Sequence, residues 1–322
     1  MLLEYNHPSV RLTGRWYCDS EKRASTVCTG SSIDIAFKGG YALLFFDTST
    51  NIDPFPHLWL ELDGNGRVEA PLDRILRVEA EGQGQHHLKV IFKSAVELQN
   101  RWKEPIQAVI RFKGVEVEDA AELSSEEKPV IEFVGDSITE GILIDVEHCP
   151  AANYNQRIYQ DDACATYAWL AAEKLSMQPV MMGFGRIGVT IDANGGVPVI
   201  QESYPLCYEG APLTDSKPKA IVINIGTNDM SAPLDDFKNG YIALLKAIRS
   251  KNPDAGIFAL SPFIGYFEES LPGIVAEYND TCHDDVKVIS TAGWLPKEPM
   301  HPRRDGHKRA GKLLAEQLAK SI

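Results

Sequence analysis

The sequence predicts two units of different class: an all-β sandwich of jelly-roll type over residues 1–117, then an α/β unit with a doubly wound parallel sheet over residues 130–322. Three observations carry this reading. Apolar and polar residues alternate in short runs through the first third of the chain. Residues 118–129 then break the pattern with five acids and a proline, which marks a linker. After it, apolar runs alternate with helical segments, the pattern of strands joined by helical crossovers.

In the first unit Ile33, Ile35 and Phe37 alternate with polar partners. Leu58, Leu60 and Leu62 do the same, as do Leu88, Val90 and Phe92, then Ala108, Ile110 and Phe112. Gly39-Gly40 and the Asp63-Gly-Asn-Gly66 run read as hairpin turns between such strands. Repeated short strands with no helical pattern between them give the sandwich. In the second unit the apolar strands fall at 130–134, 180–182, 220–225, 257–260 and 286–289. Leu234, Phe237, Tyr241, Leu244 and Ile248 recur at helical spacing and form one face of a helix. Ala310, Leu314 and Leu318 do so in the last helix, with Asp305 as its expected cap. In this architecture ligands bind at the carboxyl ends of the strands.

A chain of 322 residues is long enough to bury two cores. With 45 acids against 32 Lys plus Arg, the net charge of −13 repels nucleic acid and anionic lipid, so neither is an expected partner. Composition is that of an ordinary globular protein, 44% hydrophobic and 24% charged. No apolar run approaches the ~18 residues a membrane-spanning helix needs. Met1 to His7 lacks the basic and apolar regions of a secretory leader. The six scattered cysteines (Cys18, Cys28, Cys149, Cys164, Cys207, Cys282) then read as reduced thiols of a cytoplasmic protein. A secreted chain stripped of its leader gives the same reading, with Cys18–Cys28 as the candidate pair.

The chemistry is concentrated in four stretches. Val130 to Gly141 contains an apolar strand that stops at Gly135-Asp-Ser137 and delivers a serine at the strand's carboxyl end. A serine hydroxyl is a poor nucleophile until a base takes its proton, so Ser137 calls for a histidine within reach. Ile223 to Met230 again ends a strand; Gly226 permits a sharp turn and Asn228 offers a neutral amide donor for a forming oxyanion. Asp229 reads as the structural partner of that loop. Gly183-Phe-Gly-Arg-Ile-Gly188 is a glycine-rich loop after a strand, where a backbone N–H can come close to a substrate oxygen. Its spacing is not that of a dinucleotide fingerprint. Last, Lys297 to His307 offers two histidines. His301 lies in an extended segment before Pro302, with Glu298 three residues upstream as an orienting acid. His307 falls where the last helix begins and reads as a packing residue, so His301 is preferred as the base.

Taken together and in order, Gly135-Asp-Ser137-Ile-Thr, Gly188, Gly226-Thr-Asn228-Asp and His301-Pro-x-x-x-Gly-His resemble the sequence blocks of the SGNH (GDSL-type) hydrolases. The resemblance spans residues 130–322. It implies a flavodoxin-like catalytic domain with Ser137 as nucleophile and His301 as general base. It also implies an oxyanion hole made by the N–H groups of Ser137 and Gly188 with the Asn228 side chain. The stretches from Leu12-Thr-Gly-Arg15 to Phe112-Lys-Gly114 look like the jelly-roll domain of carbohydrate esterase family 2, whose members deacetylate plant polysaccharides or sugars. Two positions depart from the pattern. Glu298 stands where the family usually has Asp: either it orients His301, or the site works as a Ser–His dyad, a backbone carbonyl taking that place in family 2. Gly183 stands where the second block usually begins with Asn.

The resemblance implies a serine esterase acting on small acyl esters, O-acetyl groups on sugars first, with a small-molecule or oligosaccharide ester as its substrate. The alternative is a lipase, thioesterase or general carboxylesterase for a non-carbohydrate acyl ester. No cofactor is expected; a metal site built on His301, Asp305 and His307 lacks an evident further ligand elsewhere. A carbohydrate-binding protein without activity is disfavoured by the intact Ser137, Asn228 and His301. Trp294, close to His301 in sequence, either stacks on a sugar face or fills the core, and Arg186 is a second candidate substrate contact. The polar insert from Tyr154 to Asp162 has the character of a specificity loop. Trp59 and Trp102 are candidate glycan contacts of the sandwich, whose favoured role is to wall the cleft.

Overall fold

The computed structural model of the chain describes residues 1–124, 128–214 and 216–322. The front half contributes β1 (Leu2–Leu3), β2 (Val10–Thr13), β3 (Tyr17–Cys18), β4 (Ala24–Thr26) and the long β5 (Ser32–Phe46). These are followed by β6 (His57–Leu62), β7 (Val68–Pro71), β8 (Ile75–Glu79), β9 (Gln85–Ser94) and β10 (Ile110–Ala120). They form one antiparallel sheet in the order β3-β4-β10-β5-β9-β6-β7, with β1 on β10 and both β2 and β8 on β5. The alternation in sequence becomes an inward face: Ile33, Ile35, Phe37, Leu88, Val90 and Phe112 share one core.

The Gly39-Gly40 pair does not make the expected hairpin turn. Strand β5 runs straight through it, and the pairing with β10 shifts register between Val117 and Asp119. Gly39 has φ of 106°, and Glu118 fills the space a β-carbon would occupy, so the pair forms an irregularity inside a strand. There β5 changes partners, from β2 and β9 along Ser32 to Lys38 to β8 along Tyr41 to Phe45. The Asp63–Gly66 run does turn, joining the antiparallel pair β6 and β7. Strand β10 continues to Ala120, past the end expected for the first unit. Residues 125–127 of the expected linker lie outside the described residues.

The second half begins with β11 (Val130–Gly135) and the short α1 (Ser137–Glu140), then α2 (Tyr167–Lys174), β12 (Gln178–Gly183) and α3 (Ile200–Ser203). A small ribbon of β13 (Leu206–Tyr208) and β14 (Ala211–Pro212) precedes β15 (Ala220–Asn224) and α4 (Leu234–Lys251). The chain closes with β16 (Gly256–Leu260), α5 (Leu271–Cys282), β17 (Lys287–Ile289) and α6 (Arg304–Leu318). All five strands of the main sheet are parallel, in the order β12-β11-β15-β16-β17. Alternate residues of a strand serve opposite faces. Ile221 and Ile223 pack with Phe237, Tyr241 and Leu244 of α4, whereas Ala220 and Val222 pack with Tyr167 of α2 and Leu314 of α6. The architecture is α/β with a parallel sheet, beside a large antiparallel sheet.

Buried ion pairs cross between the halves. The Arg15 guanidinium bonds the carboxylate of Glu132, in the middle of β11, and the carbonyl of Tyr204, whose hydroxyl donates to Glu132 at 2.8 Å. Both charged side chains are 3% exposed. Trp59 donates from its indole to Asp162 at 2.9 Å. Trp102 is buried against Val27 and Ile106, which rules out its face as a glycan platform. All six cysteines are free, Cys18 and Cys28 included. No helix of the described residues is long and apolar enough to cross a membrane.

Candidate active site

Strand β11 sits between β12 and β15, where connections leave the sheet in opposite directions, and such a switch opens a crevice at the carboxyl ends of the strands. Gly135 ends β11 beside Gly183 of β12 and Asn224 of β15. A β-carbon on Gly135 would strike the Thr139 side chain and lie 2.7 Å from the Asn224 carbonyl, so only glycine lets the next turn fold back here. Asp136 then caps α1 by accepting the Ile138 N–H at 2.9 Å. Burial pushes the Asp136 carboxyl up to about 6. Gly141, with φ of 98°, ends the single turn.

That turn holds Ser137 at the crevice. Its Oγ lies 2.9 Å from Nε2 of His301, which is 164 positions away in sequence. The Ser137 N–H donates to no protein group among the described residues. His301 stands in the segment before α6. Burial holds its imidazole below the ordinary histidine range; the charge of Glu97 acts upward on it, and those of Arg157 and Arg303 downward. His307 is inside α6, fully buried, and its Nδ1 accepts the Tyr167 N–H at 2.9 Å. Burial drives that imidazole down to about 3, so it packs as a neutral ring.

Asn228 follows the turn at Gly226, whose φ of 127° and close approach to Pro262 and Phe237 exclude a side chain. One hydrogen of the Asn228 amide goes to the Ile187 carbonyl at 2.9 Å, which fixes the group and leaves the other free. Asp229 is buried and takes the Val189 N–H, the Thr190 N–H and the Thr190 hydroxyl at 3.2, 2.8 and 2.6 Å. The loops after β12 and β15 are thus tied to each other.

Four expected site residues stand differently. The Gly188 N–H bonds the Ile191 carbonyl at 2.9 Å, inside its own loop, so it is already engaged rather than offered to a ligand. Glu298 is exposed in a surface turn and has no hydrogen bond or ion pair among the described residues; its carboxylate stays in water instead of orienting His301. Trp294 is 8% exposed and packs beside Phe263 in the core, which removes the free face that stacking requires. Arg186 is exposed, at φ of 71°, and makes no ion pair among the described residues. At Gly183 a β-carbon would strike the Glu140 N–H and lie 2.9 Å from the Asp136 carbonyl, so the backbone of α1 accounts for glycine there. Asp305 sits exposed within the first turn of α6 and does not cap it, because the helix begins right after Arg303.

The structure also brings in residues that sequence patterns did not flag. Arg101, between β9 and β10, forms a fully buried pair with Glu140, the last residue of α1; both side chains are 1% exposed. Its N–H bonds the Gly195 carbonyl at 2.9 Å. Glu97 from the same segment accepts the Tyr154 hydroxyl and pairs with Arg157 at 3.3 Å. The insert flagged as a specificity loop thus meets the front half at this acid. Nothing local in the sequence marks Glu97 or Arg101, since each finds its partners across the fold. A cavity of about 390 Å³ lies at the other end of the sheet, lined by Tyr5, Trp16, Val130 and Gln178. Among the described residues no group of three or more His, Cys, Asp or Glu is placed to hold a metal ion.

Comparison with known proteins adds to this geometry. The sequence model of the GDSL-like lipase/acylhydrolase family matches residues 133–309. Cellulase/esterase CelE of Acetivibrio thermocellus is 29% identical over 351 residues, taking in 98% of this chain and 39% of that protein. The chain therefore spans well under half the length of this curated relative. A family two carbohydrate esterase from Cellvibrio japonicus has the same fold, with a TM-score of 0.81 at 19% identity over 99% of this chain and 97% of the other. An acetyl xylan esterase from the rumen bacterium Butyrivibrio proteoclasticus gives 0.77 at 18% identity, over 99% and 98%. The family match covers more than half of the sequence and takes in Ser137, Asn228 and His301, so the chain belongs to the GDSL-like lipase/acylhydrolase family.

Proposed function

We propose that the chain is a serine esterase that removes small acyl groups, acetyl first, from the hydroxyls of carbohydrates. The observation that carries this reading is the 2.9 Å approach of Ser137 Oγ and His301 Nε2 at the switch point of the sheet. Family membership supports the ester chemistry. The cellulase/esterase and the acetyl xylan esterase among the relatives support a sugar-borne acetyl ester, and an oligosaccharide as partner. On this reading the front sheet is a jelly-roll sandwich and the parallel sheet is doubly wound. The two domains divide within residues 118–129.

His301 Nε2 takes the Ser137 proton as Oγ attacks the ester carbonyl carbon. The carbonyl electron pair moves to oxygen, which receives the Ser137 N–H and the free Asn228 amide hydrogen. Collapse of the tetrahedral species breaks the bond to the sugar oxygen, the imidazolium protonates that leaving group, and the acyl group stays on Ser137. Water, deprotonated by His301, then attacks the acyl carbon, and the carboxylic acid leaves as Oγ recovers its proton. Glu298 and Gly188 have no part in this scheme.

Acetate release from acetylated xylooligosaccharides, acetylated glucomannan and p-nitrophenyl acetate tests it. Ser137→Ala and His301→Ala should each lower kcat by at least about a thousandfold. A full rate in Ser137→Ala overturns the nucleophile, and faster turnover of p-nitrophenyl decanoate than of the acetate overturns the small-acyl assignment.

A further inference from the structure

The His301 imidazole is held by little of its own. Apart from the Ser137 hydroxyl it bonds to no group among the described residues. Glu298, the acid expected to orient it, lies in water. A ring with one hydrogen bond keeps its place only if the backbone beneath it is fixed. A displacement of about 1 Å between reacting groups can cost a hundredfold in rate, so that fixing matters.

Arg303, two residues further on, supplies a fixed point. Its Nη1 donates to the Leu143 carbonyl at 2.6 Å, and it makes no ion pair among the described residues. Leu143 belongs to the chain that leaves the nucleophile turn: the N–H of its neighbour Ile142 donates to the Ser137 carbonyl at 3.0 Å. Between Arg303 and His301 lies only Pro302, which is buried and whose ring restricts the backbone. The two reacting side chains are thus joined by a short, stiff path through this one bond.

Leu143 itself adds a second observation. Its φ is 59°, a left-handed conformation that a bulky residue rarely adopts. Its N–H donates to the buried Asp161 carboxylate at 2.7 Å and its carbonyl accepts Arg303, so both backbone groups are engaged. Strain of this kind persists where the surroundings over-determine it, and it collects at working sites. Arg304 ties the start of α6 to the same stretch, through Asp145 at 2.8 Å and Asp162 at 3.2 Å. The helix therefore stays docked without Arg303, whose bond governs the segment just before it.

We propose that Arg303 is a positioning residue of the esterase: by donating to the Leu143 carbonyl it locks the segment carrying His301 onto the turn carrying Ser137, and holds the imidazole at reacting distance without an orienting acid. The assignment rests on the reading of Ser137 as nucleophile and His301 as base.

The experiment reads kcat and KM for p-nitrophenyl acetate on the alkaline plateau of the pH profile, beside the rate at which diethyl p-nitrophenyl phosphate labels Ser137. Arg303→Met should lower the plateau kcat about tenfold or more with KM within about twofold. Labelling should slow by the same factor, because it needs the same base and no sugar. Arg303→Lys, which keeps a donor, should recover most of both. A purely structural Arg303 would lower the melting temperature and leave plateau and labelling at the wild-type rate. Loss of the cation alone would raise the imidazole's titration, since Arg303 opposes charge on the ring, and would move the acid limb upward under an unchanged plateau. Either of these results overturns the inference while His301→Ala is inactive. Should Arg303→Met not fold, Arg303→Gln, whose amide stops short of the carbonyl, is read in the same way. If His301→Ala keeps its esterase rate, the assignment of the base fails instead.

Discussion

The Asn228 side chain has two hydrogens on one amide. One is spent on the Ile187 carbonyl, which holds the group still, and the other is left for the oxyanion of the proposed mechanism. A donor fixed before reaction needs no reorganisation when charge appears on the substrate oxygen. Asn228→Ala should therefore lower kcat a hundredfold or more, about 3 kcal/mol, with little change in KM. Steady-state rates on p-nitrophenyl acetate measure this; an equal rise in KM at unchanged kcat would show a binding role only. The placement of Ser137, Asn228 and His301 was legible in the sequence because each sits within a short block whose geometry is local: a strand end, a glycine, a polar residue. Gly188 was readable as a loop residue but not as a donor. The carbonyl that takes its N–H lies three residues on, and only the folded loop decides that bond.

At the level of the element, α1 is a single turn whose cap is a buried acid. Asp136 accepts the Ile138 N–H, and burial lifts its carboxyl from the usual range to about 6. The folded chain holds this proton more tightly than the unfolded chain. The group therefore weakens stability as pH rises from about 4 through 6, by roughly 3 kcal/mol once fully ionised. Asn at this position keeps the accepting oxygen and carries no charge. Asp136→Asn should raise the melting temperature clearly at pH 8 and hardly at pH 4, by thermal scans at both; equal shifts would mean the carboxyl is not the strained group. Elements with long, regular periods were the most legible: the face of α4 and the five parallel strands follow directly from apolar spacing. Gly39-Gly40 was misread because paired glycines signal a turn, whereas here Glu118 uses the space they leave. Asp305 was misread because the helix starts earlier than its acid.

For the whole molecule, the seam between the halves decides both stability and the surroundings of the site. Arg15 and Arg101 each place a guanidinium from the front half against an acid of the second half, Glu132 in β11 and Glu140 in α1. Removing one partner of such a pair leaves a charge buried without compensation, which costs about 3–5 kcal/mol. Arg15→Leu should lose stability on that scale in urea unfolding. Replacing Glu132 with Leu as well should recover much of the loss; no recovery would assign the effect to packing. These pairs were not legible, because their members are 117 and 39 positions apart and neither carries a periodic or motif signal. The antiparallel sheet and the parallel sheet could each be read from the sequence, but not the way they meet.

The Arg15–Glu132 pair also bears on how the polypeptide is made. Synthesis runs from the amino terminus, so the cation exists long before the acid that neutralises it has left the ribosome. Until then the guanidinium has no reason to leave water, and the front half cannot close over it. A nascent chain would therefore finish the β3 edge of the first sheet only together with β11 of the second.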